Sequence, residues 1–281
     1  TEKPTPTPLP TVAPLKDIYA ENFKIGACLN TVTIGKKYKD IVTTNFNSVT
    51  CENEMKTDAV LDQAKSKAGV KDDPTFVATN FNRCQSIIKY CKDNGMQMRY
   101  HTLVWHAQTP DWFFRTGYST NYGYVSQAQM DMRMEYYIKS VMNHVYSGQY
   151  ADVVYCWDVV NEYQHAQNSG WLKIYGNVTN YPSFVKKAFQ YAHDTLKYFG
   201  KENSVSLFYN DFNTYIEQDD IVTMVNYINS NGKICDGVGM QSHLGTTYPS
   251  VDYYIGAMKK FLNAGFEVQI TEIDVTNKGD V

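Results

Sequence analysis

The chain has 281 residues, 43% of them hydrophobic and 20% charged, with a formal net charge of −3. That length can bury a large core, in one domain or two. The small negative balance excludes a basic field for nucleic acid or anionic lipid, and no apolar run approaches a membrane span.

The first fourteen residues, TEKPTPTPLPTVAP, hold five of the nine prolines. They carry neither helix nor strand periodicity, so residues 1–15 are read as an extended Pro/Thr-rich linker. Linkers of this kind join modules of secreted proteins. The chain is therefore expected to be part of a longer exported protein whose signal peptide lies outside this sequence. From about residue 20, β-rich runs alternate with amphipathic helical ones. The strand candidates are FKIGACLN (23–30), FNSVTCEN (46–53), MQMRYHTLVW (96–105), DVVYCWDVVNE (152–162), VSLFYNDFN (205–213), GVGMQSHL (237–244) and EVQITEID (267–274). Their near-continuous apolar and β-branched content predicts strands buried on both faces. Between them, Ser126 can cap a helix that presents Met130, Met134, Ile138 and Val145. Ser183 opens a helix ending at Gly200, and Ser250 one ending at Gly265. Phe81, Cys84, Ile88 and Cys91 form a stripe that Gly95 ends.

Strands alternating with helices predict a parallel α/β architecture. No glycine-rich phosphate fingerprint follows the first strand, so a (β/α)8 TIM barrel over residues 16–281 fits better than a doubly wound sheet. The six cysteines read as buried free thiols rather than a disulfide framework. Cys28–Cys51 is the one pairing left open. The 23 tyrosines and four tryptophans could offer stacking platforms for a flat, hydroxylated ligand, although most tyrosines are expected at the edge of the core.

In such a barrel, chemistry gathers at the C-terminal ends of the strands. Those ends carry Glu52, Asn53 and nearby Lys56; His101, Trp105, His106 and Gln108; Asn161 and Glu162; Asn210 and Asp211; Gln241 and His243; Glu272 and Asp274. One of these could be a satisfied core polar group. Six strands converging on one rim point to a site. His101 and His106 lack the spacing of a helical ligand pair and no cysteine cluster joins them, so neither a metal nor a cofactor is expected. There is no serine nucleophile elbow. Glu162 and Glu272, on opposite sides of a ring, could approach to about 5–5.5 Å, the spacing of a retaining glycoside hydrolase.

HTLVWHAQTPDWF, WDVVNE, LFYNDFN, DGVGMQSHL and ITEID, in this order, together with SVTCENEMK, closely resemble glycoside hydrolase family 10. That family comprises endo-β-1,4-xylanases on a (β/α)8 barrel, and the match spans roughly residues 20–281. The resemblance implies Glu162 as acid/base and Glu272 as nucleophile. It implies Asn161 on the sugar 2-hydroxyl, and His243 orienting the nucleophile with Asp274 behind it. His101, Trp105 and Gln241 would line the cleavage subsite, and Glu52, Asn53, Lys56 and Gln108 the sugars on the non-reducing side. Xylan and xylo-oligosaccharides would be the partners, with other modules joined through the linker and with neither nucleic acid nor membrane. A β-1,4-glucanase or mannanase of a related barrel family, or a non-catalytic xylan-binding barrel, are the alternatives.

Three features depart from the family pattern. Thr57 stands where a tryptophan is usual, and Phe212 replaces a tyrosine. No eighth strand and helix follow the seventh candidate strand, so a separate chain is expected to complete the barrel.

Overall fold

The computed structural model describes residues 12–35, 38–177 and 179–277. Most of the expected linker falls outside them. Seven strands form one sheet: β1 (Gly26–Leu29), β2 (Ser48–Cys51), β3 (Gln97–Trp105), β4 (Val154–Asn161), β5 (Ser206–Asp211), β6 (Gly237–Met240) and, after a short β7 (His243–Gly245), β8 (Glu267–Ile270). Every neighbouring pair in the sheet is parallel. This is the wall of the expected barrel. Among the described residues β1 and β8 pair only with β2 and β6, so both edges of the sheet are open.

The sixth and seventh candidate strands each break in two. Ser242 turns left-handed (φ 66°) between β6 and β7. Residues 271–273 separate β8 from β9 (Asp274–Thr276), and β7 and β9 pair as a separate parallel ribbon with His243 opposite Asp274. Each sheet strand therefore ends earlier than its apolar run suggests.

The sheet is curled, as one contact demonstrates. Arg99 Nε on β3 donates to Gln269 Oε1 on β8 at 3.1 Å. The two strands stand four places apart, so a flat sheet would separate them by about 19 Å, far beyond one pair of side chains. Alternation along the strands sets two faces. Arg99, His101, Asp158, Phe208 and Asn210 turn inward, where Arg99 binds Asp158 and lies over Phe208. Tyr100 and Trp157 stack on the outer face at 4.3 Å.

The helices cover that outer face. Gln127–Tyr146 is capped by Ser126, which accepts from Gln129 N, and buries Met130, Met134, Ile138 and Val145 as expected. It packs against Ser183–Tyr198, which in turn packs on β4. Ser250 likewise caps Val251–Asn263. Double burial holds for β2 to β6, whereas the edge strands β1 and β8 are largely open.

All six cysteines are free, and five are buried as expected. Cys28 departs from that expectation because its strand is an edge and its side chain is exposed. It stands opposite Thr50, which places Cys51 on the other face of the sheet, out of reach of a disulfide.

Candidate active site

β4 is buried along almost its whole length and delivers Asn161 and Glu162 to the rim. Glu162 is left-handed (φ 58°, ψ 41°), which turns its side chain out of the strand while Glu162 N donates to Asn210 O at 2.8 Å. Its two carboxylate oxygens have separate donors. Trp105 Nε1 reaches Oε2 at 2.6 Å, and Gln241 Nε2 reaches Oε1 at 2.8 Å. Asn161 Oδ1 accepts from Asn210 Nδ2 (2.8 Å) and Gln241 Nε2 (3.2 Å). Asn161 Nδ2 is buried and has no partner among the described residues. A buried donor left open costs free energy unless a ligand meets it.

Glu272 lies in the break between β8 and β9, on the far side of this group. Asn210 Nδ2 also donates to Glu272 Oε1 at 2.9 Å. The two glutamates are thus joined by a continuous path through Gln241, Asn161 and Asn210. His243 Nε2 stands 3.5 Å from Glu272 Oε2, and His243 Nδ1 is 2.5 Å from Asp274 Oδ2. The β7–β9 ribbon builds this row by setting His243 and Asp274 in register. Glu162 is nearly enclosed, with its side chain 13% exposed, whereas Glu272 is more open at 31%.

His101 sits in the middle of β3 rather than at its end, which corrects the expectation from sequence. The barrel interior tolerates it because Asp158, directly opposite on β4, accepts from its Nδ1 at 2.9 Å. The same fully buried carboxylate takes both arms of Arg99. A buried pair of this kind must be complete, since removing one partner strands the other charge. His106 Nε2 lies 4.0 Å from Glu162 Oε2. Burial lowers the pKa of His106, so a neutral imidazole stands beside the carboxylate at pH 7.

The residues around β2 form a second group. Lys56 Nζ donates to Asn53 Oδ1 at 3.0 Å and lies 5.0 Å from the Trp105 ring. Gln108 Nε2 reaches Asn53 Oδ1 at 3.4 Å. Glu52 engages Asn30 instead, accepting from its Nδ2 at 2.6 Å. Thr57, at the position of a usual tryptophan, is buried and donates to Leu103 O.

Two roles were not visible in the sequence. Asn210 was one strand-end amide among several, yet it bridges Asn161 and Glu272. Arg99 reads as a strand residue, yet it holds Asp158 beneath His101. The inward approach of neighbouring strands could have flagged the first, because GVG places two glycines on β6. A Cβ on Gly239 would lie 2.4 Å from Asn210 Oδ1 and 2.9 Å from Arg99 Nη2. Gly239→Ala is therefore expected to cost about 1–3 kcal/mol in thermal unfolding, and to lower turnover because Asn210 must move. Gly256→Ala, where a Cβ meets nothing within 4 Å, is the control expected to stabilise by about 0.4–1 kcal/mol. Equal behaviour of the two variants would contradict the close-approach account.

Residues 14–281 match the family model for glycosyl hydrolase family 10. Endo-1,4-beta-xylanase A of Butyrivibrio fibrisolvens is 47% identical over 270 residues, covering 91% of this chain and 66% of that protein. Endo-1,4-beta-xylanase Y of Acetivibrio thermocellus is 38% identical over 291 residues, covering 95% of this chain and 25% of the relative. The chain thus spans less than two thirds of the length of these relatives. Among solved structures, the N-terminal endo-1,4-beta-D-xylanase 10B of Clostridium thermocellum, complexed with xylohexaose, matches with a TM-score of 0.83 at 37% identity. That match covers 94% of this chain and 53% of the other. Such agreement in sequence and in fold leaves one family: the chain belongs to glycosyl hydrolase family 10.

Proposed function

We propose that this chain carries the active site of a retaining endo-1,4-β-xylanase, cutting internal β-1,4-xylosidic bonds of xylan and xylo-oligosaccharides. The observation that carries the reading is the pair Glu162 and Glu272, set on opposite sides of one amide path that leaves Asn161 Nδ2 open for a sugar hydroxyl. Glu162 protonates the leaving oxygen while Glu272 attacks the anomeric carbon. Glu162 then takes a proton from the water that releases the glycosyl-enzyme. His243, held by Asp274, aligns Glu272. Asn161 meets the 2-hydroxyl, a contact that strengthens as the oxocarbenium ion develops. Trp105, His101 and Gln241 line the cleavage subsite, and Asn53, Lys56, Gln108 and Glu52 hold the adjoining sugars.

Reducing-sugar release from xylan, carboxymethylcellulose and mannan, measured side by side on the full-length protein, tests the substrate. Xylan should be cut at least tenfold faster than either alternative, in keeping with the discrimination that a few placed polar contacts provide. Preference for cellulose or mannan would overturn the reading.

Two further parts of the proposal concern context. The Pro/Thr composition of residues 1–15 supports an exported, multi-module protein. The open edges of β1 and β8 support a further strand and helix, in cis or from a separate chain, that close the barrel, because unpaired edges invite pairing. Residues 1–281 alone should aggregate and turn over xylan poorly, and supplying the closing unit should restore a monodisperse, active species. Full activity of residues 1–281 alone, at unchanged melting temperature, would count against closure.

A further inference from the structure

The turn that carries Glu162 is held in an unfavourable backbone state. A left-handed non-glycine residue costs about 1–3 kcal/mol and persists only where its surroundings impose it. Here the surroundings lie on β5 and the loop after it. Beyond the bond from Glu162 N to Asn210 O, Gln164 N donates to the Tyr209 hydroxyl at 3.2 Å, and that hydroxyl donates to Asp211. His165 Nδ1 lies 2.9 Å from Asp211 Oδ1, and His165 Nε2 lies 3.3 Å from Glu217 Oε1. Phe212 N donates to the same Asp211 oxygen at 2.8 Å, and the Phe212 ring covers the imidazole face at 3.6 Å.

Ionised carboxylates only accept hydrogen bonds, so both imidazole nitrogens must carry protons. His165, Asp211 and Glu217 are close enough together to hold a metal ion. Yet the two ring nitrogens face different carboxylates, whereas a metal takes one ring nitrogen together with the oxygens. The pattern is that of an imidazolium between two anions.

We propose that His165 is a positioning residue for Glu162: a fixed cation, clamped by Asp211 and Glu217, that pins the turn bearing the acid/base to β5. The proposal rests on Glu162 being the acid/base. Burial opposes the charge on His165, but the hydrogen bonds and charges of Asp211 and Glu217 outweigh it and hold its pKa at about 10. Burial pushes Asp211 up to about 6, leaving it ionised at neutral pH. The other titratable neighbours are Tyr209, whose hydroxyl burial keeps protonated, and His106, which burial keeps neutral. The folded pKa of His165 exceeds its unfolded value near 6.5, so the cation persists well above that pH. Asp211 gives up its negative charge as pH falls through about 6; the clamp is therefore complete only above about pH 6. It is lost as pH rises through about 10.

The test uses the full-length protein with His165→Gln and Glu217→Gln; Glu217 is partly exposed, so its variant should fold. Nitrogen NMR of the ring should show both nitrogens protonated at pH 8 in the wild type, and the proton lost at lower pH in Glu217→Gln. His165→Gln should lower kcat on xylo-oligosaccharides about tenfold with little change in KM, and change an aryl xylobioside with a good leaving group less than about twofold. A neutral imidazole at pH 8, equal losses on both substrates, or activity lost to a chelator would each overturn the clamp. Glu162→Ala in the same assay tests the acid/base role separately, since the ring spectra do not depend on it.

Discussion

Glu272→Ala in the full-length protein is expected to reduce xylan hydrolysis on the order of 10^5-fold, the scale on which removal of a catalytic nucleophile acts. Without the carboxylate no glycosyl-enzyme can form, so aryl xylobiosides should fail alongside xylan. The hydrogen bond from Asn210 and the contact with His243 would both be lost, yet the gap lies at a partly open position and the fold should hold. Azide entering that gap can attack the anomeric carbon from the vacated side. Turnover of an activated aryl glycoside should then return, giving a product of inverted configuration, which proton NMR of the glycosyl azide would show. Residual activity above a trace without azide would remove Glu272 from the role of nucleophile.

Glu162→Ala should divide substrates by their leaving groups. Xylan departs as a poor leaving group and needs the proton, so its hydrolysis should fall by about 10^3- to 10^4-fold. A dinitrophenyl xylobioside needs little protonation, so its first step should survive and the intermediate should accumulate. The expected record is a burst of one equivalent of phenol, followed by slow turnover limited by water attack. A uniform loss with no burst would mean that Glu162 only holds Trp105 and Gln241 in place.

Much of the scaffold was legible because β2 to β6 are buried on both faces and read as nearly continuous apolar and β-branched runs, which have few other uses. The motif ends also placed Asn161, Glu162, Gln241, His243 and Glu272 on one rim, where the structure joins them. The breaks at Ser242 and at residues 271–273 were hidden. Ser242 is neither glycine nor asparagine, yet it turns left-handed because Met240 O and the Tyr254 hydroxyl hold its side chain. His101 was misplaced because a barrel interior admits polar groups wherever the facing strand supplies a partner, and Asp158 lies in another motif. The exposure of Cys28 depends on what lies against β1, which no residue of β1 encodes. His165 and Glu217 are distant in sequence and share no pattern, so only the approach of β4 to the loop after β5 brings them together.

The bond from Arg99 to Gln269 spans 170 positions of chain, and its consequence belongs to folding kinetics. The links that assemble the site are also distant: 79 positions for Gln241 to Glu162 and 62 for Asn210 to Glu272. Contacts of such separation incur loop-closure entropy before they return any stabilisation, and chains dominated by them fold slowly. Neighbouring strands and their helices can form earlier from shorter-range contacts. In refolding of the full-length protein, secondary structure should therefore recover well before catalysis, and circular dichroism should lead activity in time. The glutamate pair comes into being only when β8 has swung round to meet β3, so the candidate site is the last part of this fold to form.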